Sequence, residues 1–204
     1  MIREKQTCRT LDALVHVEQL VEKRELDEAR QALEALLRED PRAHRSSHVA
    51  WWQAIVADYS ERFEDAMSHI EHALQIDPIC VPYHRSFDLI VDRIRKALAA
   101  EGRKPDDPST PRLYRLLLGS AAADTESHLA MARHHAHRGE GPAALRLLEA
   151  LTTLEPTNRV AWQMTLELAR SAGDSARAEA AATQLEGLTP GQPALFGIPG
   201  KAQG

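Results

Sequence analysis

The sequence predicts an all-α fold, a stack of about five antiparallel helix pairs, and three observations predict it. Successive repeat-closing prolines stand 37 residues apart (78 − 41) and 34 apart (190 − 156), a period typical of stacked helix pairs. Composition is 43% hydrophobic, mainly Ala and Leu, and only 4% aromatic, which favours helix over sheet. An alanine also precedes a proline by twelve positions at four places: Ala29 and Pro41, Ala66 and Pro78, Ala144 and Pro156, Ala178 and Pro190.

The first helix pair is expected within residues 10–41, after a flexible N-terminal extension over 1–9. Apolar residues recur at helical spacing from Leu11 to Val21, and a second amphipathic run starts at Leu26. Pro41 ends that run, because proline biases the preceding residue away from the α region.

The second helix pair is expected to start at Ser46 or Ser47, since either hydroxyl can cap a helix N-terminus. Its first helix carries the adjacent tryptophans Trp51 and Trp52. Its second helix starts near Phe63 and stops before Pro78.

The third unit departs from the pattern. A long helix over 82–101 is followed by a proline-rich loop over 102–111, and a short helix starts at Thr110 and Pro111, with the Thr110 hydroxyl as its cap. The region 10–101 therefore holds two helix pairs and one long helix. Two interpretations stay open: a third helix pair with a lengthened turn, or a hinge between two modules.

The region 112–190 is expected to hold the short helix and two further helix pairs. The fourth pair starts from a cap at Asp124 or Thr125 and turns at Gly139, and the fifth turns at Gly173. The C-terminal tail over 191–204 is rich in Gly and Pro. It is either a disordered end or an extended segment pinned by its apolar residues, Leu195, Phe196 and Ile198.

These units resemble the tetratricopeptide repeat, a helix–turn–helix of 34 residues. In that family small side chains let the two helices approach, and large ones fill the gaps around them. The fifth unit is the most similar, with Trp162, Gly173, Ala178 and Pro190 at the family's positions. The resemblance covers about two thirds of the chain and implies a right-handed superhelix.

The resemblance also implies a concave groove lined by the first helix of each pair, in which a segment of another protein binds. The family's clamp for a terminal carboxylate is not matched, since Leu14, Glu18 and Trp52 stand at its positions. The residues we expect to bind a partner in the groove are Trp51, Ile55, Tyr59, Arg133, Gln163, Glu167 and Arg170.

Trp51 is the strongest candidate anchor, because Trp51, Ile55 and Tyr59 are spaced i, i+4 and i+8 along one helix face. Adjacent residues on a helix point about 100° apart. Trp52 would then fill the core of its helix pair. The alternative is that both tryptophans fill the core.

The sequence contains ten histidines, but it predicts no metal site. A tight site needs three or four ligands and supporting carboxylates, and no HExxH motif is present. The histidines are interpreted as surface or packing residues, with His16, His128 and His135 at core-type positions. The sequence contains no phosphate-binding loop, dinucleotide fingerprint or nucleophile elbow, so we expect no enzyme activity and no cofactor.

Charge and hydropathy narrow the class of partner. A net charge of −5 argues against general nucleic-acid binding. No apolar run is long enough for a membrane span, and the first ten residues are too polar for a signal peptide. Cys8 and Cys80 lie far apart, which favours a reducing, cytoplasmic location.

The sequence therefore predicts a non-catalytic scaffold, adaptor or chaperone that binds a peptide segment or helix of another protein. One alternative is a self-associating structural repeat protein, because the ends of a repeat array need covering. A less favoured alternative is a histidine-based metal-binding protein.

Overall fold

The computed structural model describes residues 2–100 and 107–188, with side chains from residue 9 onward. The chain divides into two compact units, Met1–Leu116 and Leu117–Gly204. Within the described residues the secondary structure consists of α-helices and one short 3₁₀ helix, Pro41–Arg45. No described helix combines the length and apolar character that a membrane crossing requires.

The first unit contains the helices of the first three repeats. Its boundary with the second unit falls within α6. The helices are α1 (Ile2–Glu22), α2 (Leu26–Glu39), α3 (Ser47–Tyr59), α4 (Phe63–Ile76), α5 (Val81–Ala99) and α6 (Ser109–Gly119).

The second unit contains two helix pairs, each joined by a short turn. The helices are α7 (Thr125–His137), α8 (Gly141–Leu154), α9 (Arg159–Ala172) and α10 (Ser175–Gly187). The prediction of an all-α fold built of antiparallel helix pairs is thus confirmed.

Alanines at the predicted spacing lie where the two helices of a pair meet. Ala29, Ala66 and Ala144 are each 0% exposed, and each lies on the second helix of its pair. A small side chain there lets the helix axes approach closely. Ala178 on α10 is only half-buried, so the last pair is less tightly enclosed. Its companion Pro190 lies outside the described residues.

The turns of four helix pairs share one backbone conformation. The same turn position has a positive φ in each: 64° at Arg24, 56° at Glu61, 74° at Gly139 and 73° at Gly173. Left-handed backbone is rare for non-glycine residues, so its recurrence at one position marks these segments as copies of one unit.

Helix starts follow the predicted caps where Ser or Asp stands at the boundary. The Ser46 hydroxyl accepts a hydrogen bond from the Val49 amide, and the Asp124 carboxylate accepts one from the Ser127 amide. Ser47 and Thr125, the alternative caps, are instead the first helical residues. A side-chain oxygen at the cap position satisfies an amide that the helix leaves unpaired.

The predicted flexible extension over 1–9 is wrong for residues 2–9, which belong to α1. The segment 1–22 contains no Gly or Pro, and its Arg, Glu, Lys and Gln residues are good helix formers. Nothing in the sequence therefore stops the helix short of its N-terminus. His16 on α1 is exposed, so its predicted place in the core is also wrong.

α5 is the first helix of a third repeat that lacks the usual turn. Residues 34 positions after the α3 core residues are also buried: Val49 is followed by Tyr83, and Val56 by Ile90. The residue 34 positions after the turn residue Glu61 is Arg95, which stays inside the helix. α5 and α6 do not pack on each other as closely as the helices of the other pairs do within the described residues.

α6 starts earlier than predicted and uses a different cap. It begins at Ser109, so residues 109–111 of the predicted loop 102–111 are helical. The Asp107 carboxylate accepts hydrogen bonds from the Ser109 amide at 2.8 Å and the Ser109 hydroxyl at 2.7 Å, in place of the expected Thr110 cap. The remainder of the loop at 101–106, and the predicted tail over 191–204, lie outside the described residues.

Candidate partner-binding surface

An aromatic cluster joins α3 to α5 in the first unit. The Trp51 ring centroid lies 5.1 Å from that of Trp52, 5.8 Å from that of Tyr83 and 6.3 Å from that of His48. Aromatic pairs at such distances add about 0.5–1.5 kcal/mol beyond the area they bury. The cluster therefore holds the first helices of two successive repeats together.

Hydrogen bonds fix the orientation of this cluster. The Trp51 indole donates to the Ser86 hydroxyl on α5 at 2.8 Å. The Tyr83 hydroxyl donates to the Ser47 hydroxyl at 3.1 Å and lies 2.9 Å from His48 Nδ1. Burial raises the pKa of the Tyr83 hydroxyl, and the bond to Ser47 opposes that rise. The aromatic rings are thus set in place before any partner binds.

The two tryptophans have different roles. Trp52 packs against the core formed by α1, α2 and the 3₁₀ helix. Trp51 is half-buried and directs its indole N–H to Ser86 on α5. This division agrees with the expectation that one tryptophan fills the core of the first helix pairs and the other faces the first helix of the next repeat.

Ile55 and Tyr59 continue the row that Trp51 begins, and both are half-buried. Two guanidinium groups cover the Tyr59 ring: Arg24 lies 4.8 Å and Arg93 4.7 Å from its centroid. Tyr59 is therefore committed to holding the α1–α2 turn and α5 against α3. Trp51 and Ile55 are the better candidates for contact with a partner.

Asp58 lies beside Tyr59 and is 7% exposed. Its Oδ2 is 3.3 Å from Arg93 Nε, and its Oδ1 has no hydrogen-bond partner among the described residues. Burial raises the pKa of Asp58, and the Arg93 guanidinium opposes the rise. Arg93 thus bridges a buried carboxylate and an aromatic ring.

Two further surface residues on α5 extend this row, and the sequence analysis missed them. Arg85 and Leu89 stand 34 residues after Trp51 (85 − 51) and Ile55 (89 − 55), and both are exposed. Leu89 is 60% exposed, which is unusual for a leucine on a packed helix. The 34-residue spacing was the available signal, but the absence of the motif from the third unit hid it.

The second unit carries the other predicted groove residues, all of them exposed. Gln163, Glu167 and Arg170 on α9 are spaced i, i+4 and i+7, so they share one helix face. Arg133 on α7 lies 3.9 Å from Glu126, a separation that gives a weak exposed ion pair.

Within the described residues, the histidines with assigned partners contact protein groups, and no group of three or more His, Cys, Asp or Glu residues could hold a metal. Buried His128 bonds the Asp124 carbonyl at 2.8 Å, and half-buried His135 lies 2.6 Å from Glu140. Hydrogen bonds from Arg138 and then His135 lower the pKa of Glu140. These contacts stabilise the start of α7 and the α7–α8 turn.

Recurrent helix pairs, buried alanines at one spacing and a shared left-handed turn position define a tetratricopeptide-like helical repeat protein. No protein-family model matches the chain, and no curated protein matches it either.

Several solved structures are similar at low identity. PilF of Pseudomonas aeruginosa is 16% identical, with 92% of this chain and 95% of that one covered at a TM-score of 0.40. YrrB, described as a TPR protein with an unusual peptide-binding site, is 14% identical over 88% and 86% at 0.38. PilW, described as a widely conserved type IV pilus biogenesis factor, is 15% identical over 86% and 76% at 0.39.

Proposed function

We propose that this protein is a non-catalytic interaction scaffold that binds a peptide segment or helix of another protein on the first helices of its repeats. The observation that carries the proposal is Leu89, a leucine 60% exposed and in phase with Ile55. An exposed apolar side chain beside fixed aromatic rings is the usual composition of a binding hot spot.

On the first unit, Trp51, Ile55 and Leu89 would supply apolar contact, and Arg85 at the neighbouring turn of α5 would contact polar groups of the partner. The rings are held by hydrogen bonds to Ser86 and to Ser47, so little side-chain entropy is lost on binding.

On the second unit, we propose that the exposed polar row of α9 sets the register of a bound segment. Gln163 can donate and accept hydrogen bonds, while Glu167 and Arg170 carry opposite charges one turn apart. Arg133 would play the same part on α7. Charges at an interface contribute mainly to specificity and association rate. Within the described residues Cys80 is a free thiol, which supports a reducing, cytoplasmic compartment for this function.

The test uses the full chain and a library of random peptides displayed on phage. Selected peptides are synthesised with a fluorophore, and their Kd is measured by fluorescence anisotropy. We expect Leu89→Glu to weaken binding at least tenfold, because it places a charge on the apolar contact. Leu154→Glu is the matched control, since Leu154 is 72% exposed on the second unit and outside the row. Equal affinity for both variants would refute the assignment.

A second candidate function, self-association, has its own observation. Leu11 and Val15 are four residues apart on α1 and are 63% and 45% exposed. An apolar face on the first helix of a repeat array calls for a cover, and a second copy of the chain can supply it. Sedimentation equilibrium should show a dimer that the double change Leu11→Glu and Val15→Glu dissociates. A monomer at every concentration tested would exclude this candidate.

A further inference from the structure

A cavity of about 930 Å³ opens in the first unit, apart from the aromatic cluster. Its wall comes from the end of α3, the start of α4, the end of α5 and the start of α6. Part of the wall is apolar, with Phe63, Ala97 and Leu113 among its lining residues. The remaining lining residues are mainly charged, so the cavity suits a ligand with both apolar and ionic parts.

Asp58 lines this cavity and has one carboxylate oxygen without a donor. Arg93 engages Oδ2 at 3.3 Å, whereas Oδ1 has no hydrogen-bond partner among residues 2–100 and 107–188. A buried acceptor without a donor costs about 1–3 kcal/mol, and more when the group is charged. The structure therefore leaves room for a hydrogen-bond donor supplied from outside the chain.

The charges around Asp58 favour a cationic donor. Three basic residues of the wall already have carboxylate partners: Arg62 contacts Asp65 at 2.6 Å, Lys96 contacts Asp92 at 2.6 Å, and Arg93 contacts Asp58.

Glu61 and Glu64 also line the cavity, and neither forms a salt bridge within the described part of the chain. One unpaired cation, Arg112, faces them from α6. Two unpaired carboxylates and one orphan carboxylate oxygen thus outweigh one guanidinium.

We propose that this cavity takes a lysine or arginine side chain of the bound protein segment. The cationic head donates to Asp58 Oδ1 and lies near Glu61 and Glu64. The aliphatic stem packs on Phe63 and Leu113, as long basic side chains commonly do on apolar surface. The inference rests on the proposed function, because the segment that brings the side chain is the one bound on α3 and α5.

The probe for the test is n-butylguanidinium, which carries the head and the stem without a peptide. Amide chemical shifts of the ¹⁵N-labelled full chain are followed by NMR during titration. We expect saturable shifts at the cavity wall, including the amides of Glu61 and Glu64, and weaker binding at high salt. Stronger shifts with butyrate than with n-butylguanidinium would show an anion site and overturn the proposal, as would the absence of saturable shifts there.

Variants assign the binding to particular carboxylates. Asp58→Asn keeps the shape and removes the charge, and it should weaken n-butylguanidinium at least tenfold. Asp92→Asn is the matched control, since Asp92 is an exposed carboxylate of α5 that is not part of the wall. If Asp58→Asn fails to fold, the exposed double change Glu61→Gln and Glu64→Gln should weaken binding instead. Unchanged affinity in the carboxylate variant that is measured would refute the site.

Leu89→Glu separates this inference from the proposed function. It should abolish peptide binding and leave n-butylguanidinium binding intact, because Leu89 does not line the cavity. Binding of n-butylguanidinium with no peptide selected by the full chain would refute the proposed function and leave the cavity site standing. Peptide binding without any n-butylguanidinium binding would refute the cavity site alone.

Discussion

Arg24 and Glu61 adopt the same left-handed backbone conformation 37 residues apart, with φ of 64° and 56°. Each closes the turn of a helix pair, where the second unit has Gly139 and Gly173 instead. A Cβ in this conformation approaches the following carbonyl oxygen and costs roughly 1–2 kcal/mol. The first unit therefore holds strain at its turns that the second unit avoids.

Glu61→Gly should relieve this strain and raise the free energy of unfolding by about 1 kcal/mol, after the extra chain entropy of glycine is subtracted. Urea unfolding followed by circular dichroism measures the change. Glu64→Gly is the control, because Glu64 lies in the first turn of α4 and has ordinary helical backbone. It should lower stability. A decrease of equal size in both variants would show that the Glu61 turn is not strained.

Gly173→Ala should lower the free energy of unfolding by about 1 kcal/mol. A Cβ built at Gly173 meets no atom within 4 Å, so the loss comes from backbone strain and not from a clash. Gly187→Ala is the control, since its Cβ also meets no atom within 4 Å and its φ is not positive. That change should leave stability equal or higher. A stable Gly173→Ala protein would contradict the left-handed turn.

Tyr59→Leu should lower stability by about 1 kcal/mol or more, because the two guanidinium groups at 4.8 and 4.7 Å lose the aromatic ring. Tyr59→Phe keeps the ring and should cost little. Urea unfolding at low and high salt compares the two variants. If leucine and phenylalanine are equally tolerated, the arginine contacts contribute nothing to stability.

Asp58 should make stability depend on pH. Burial raises the pKa of Asp58 in the folded state, so the folded chain holds the proton more tightly than the unfolded chain. That contribution is present below the ordinary carboxyl pKa of about 4 and is lost as pH rises through the folded pKa. Asp58→Asn removes the titration, so its stability relative to the parent should increase between about pH 4 and pH 7.

Glu140→Gln is the control with the opposite sign. Hydrogen bonds from Arg138 and His135 lower the pKa of Glu140, so its stabilising contribution is present at neutral pH and is lost as pH falls. Urea unfolding at several pH values tests both variants. A pH profile of Asp58→Asn that runs parallel to that of the parent would contradict the assignment to Asp58.

Features set by local chemistry could be predicted from the sequence. Ser46 and Asp124 cap their helices as expected, and Ala66 and Ala144 are completely buried between paired helices. A cap depends on one side chain and the next three amides, and a close helix contact depends on one small residue. Both signals survive in a single sequence.

Features set by tertiary contacts could not be predicted. The arginine contacts of Tyr59 come from a turn 35 residues earlier (59 − 24) and a helix 34 residues later (93 − 59). Leu89 was missed because its exposure depends on α5 having no paired second helix after a normal turn. The extent of α1 was missed because polarity was taken as a sign of an irregular segment, although its residues favour helix.

The uninterrupted α5 shows that a repeat can keep its outer face after losing its inner partner. Arg85 and Leu89 remain in step with Trp51 and Ile55 although the chain does not turn back at Arg95. Selection on such an array can therefore act separately on each half of a unit. The leading helix can go on carrying recognition while the trailing helix is shortened, displaced or rebuilt.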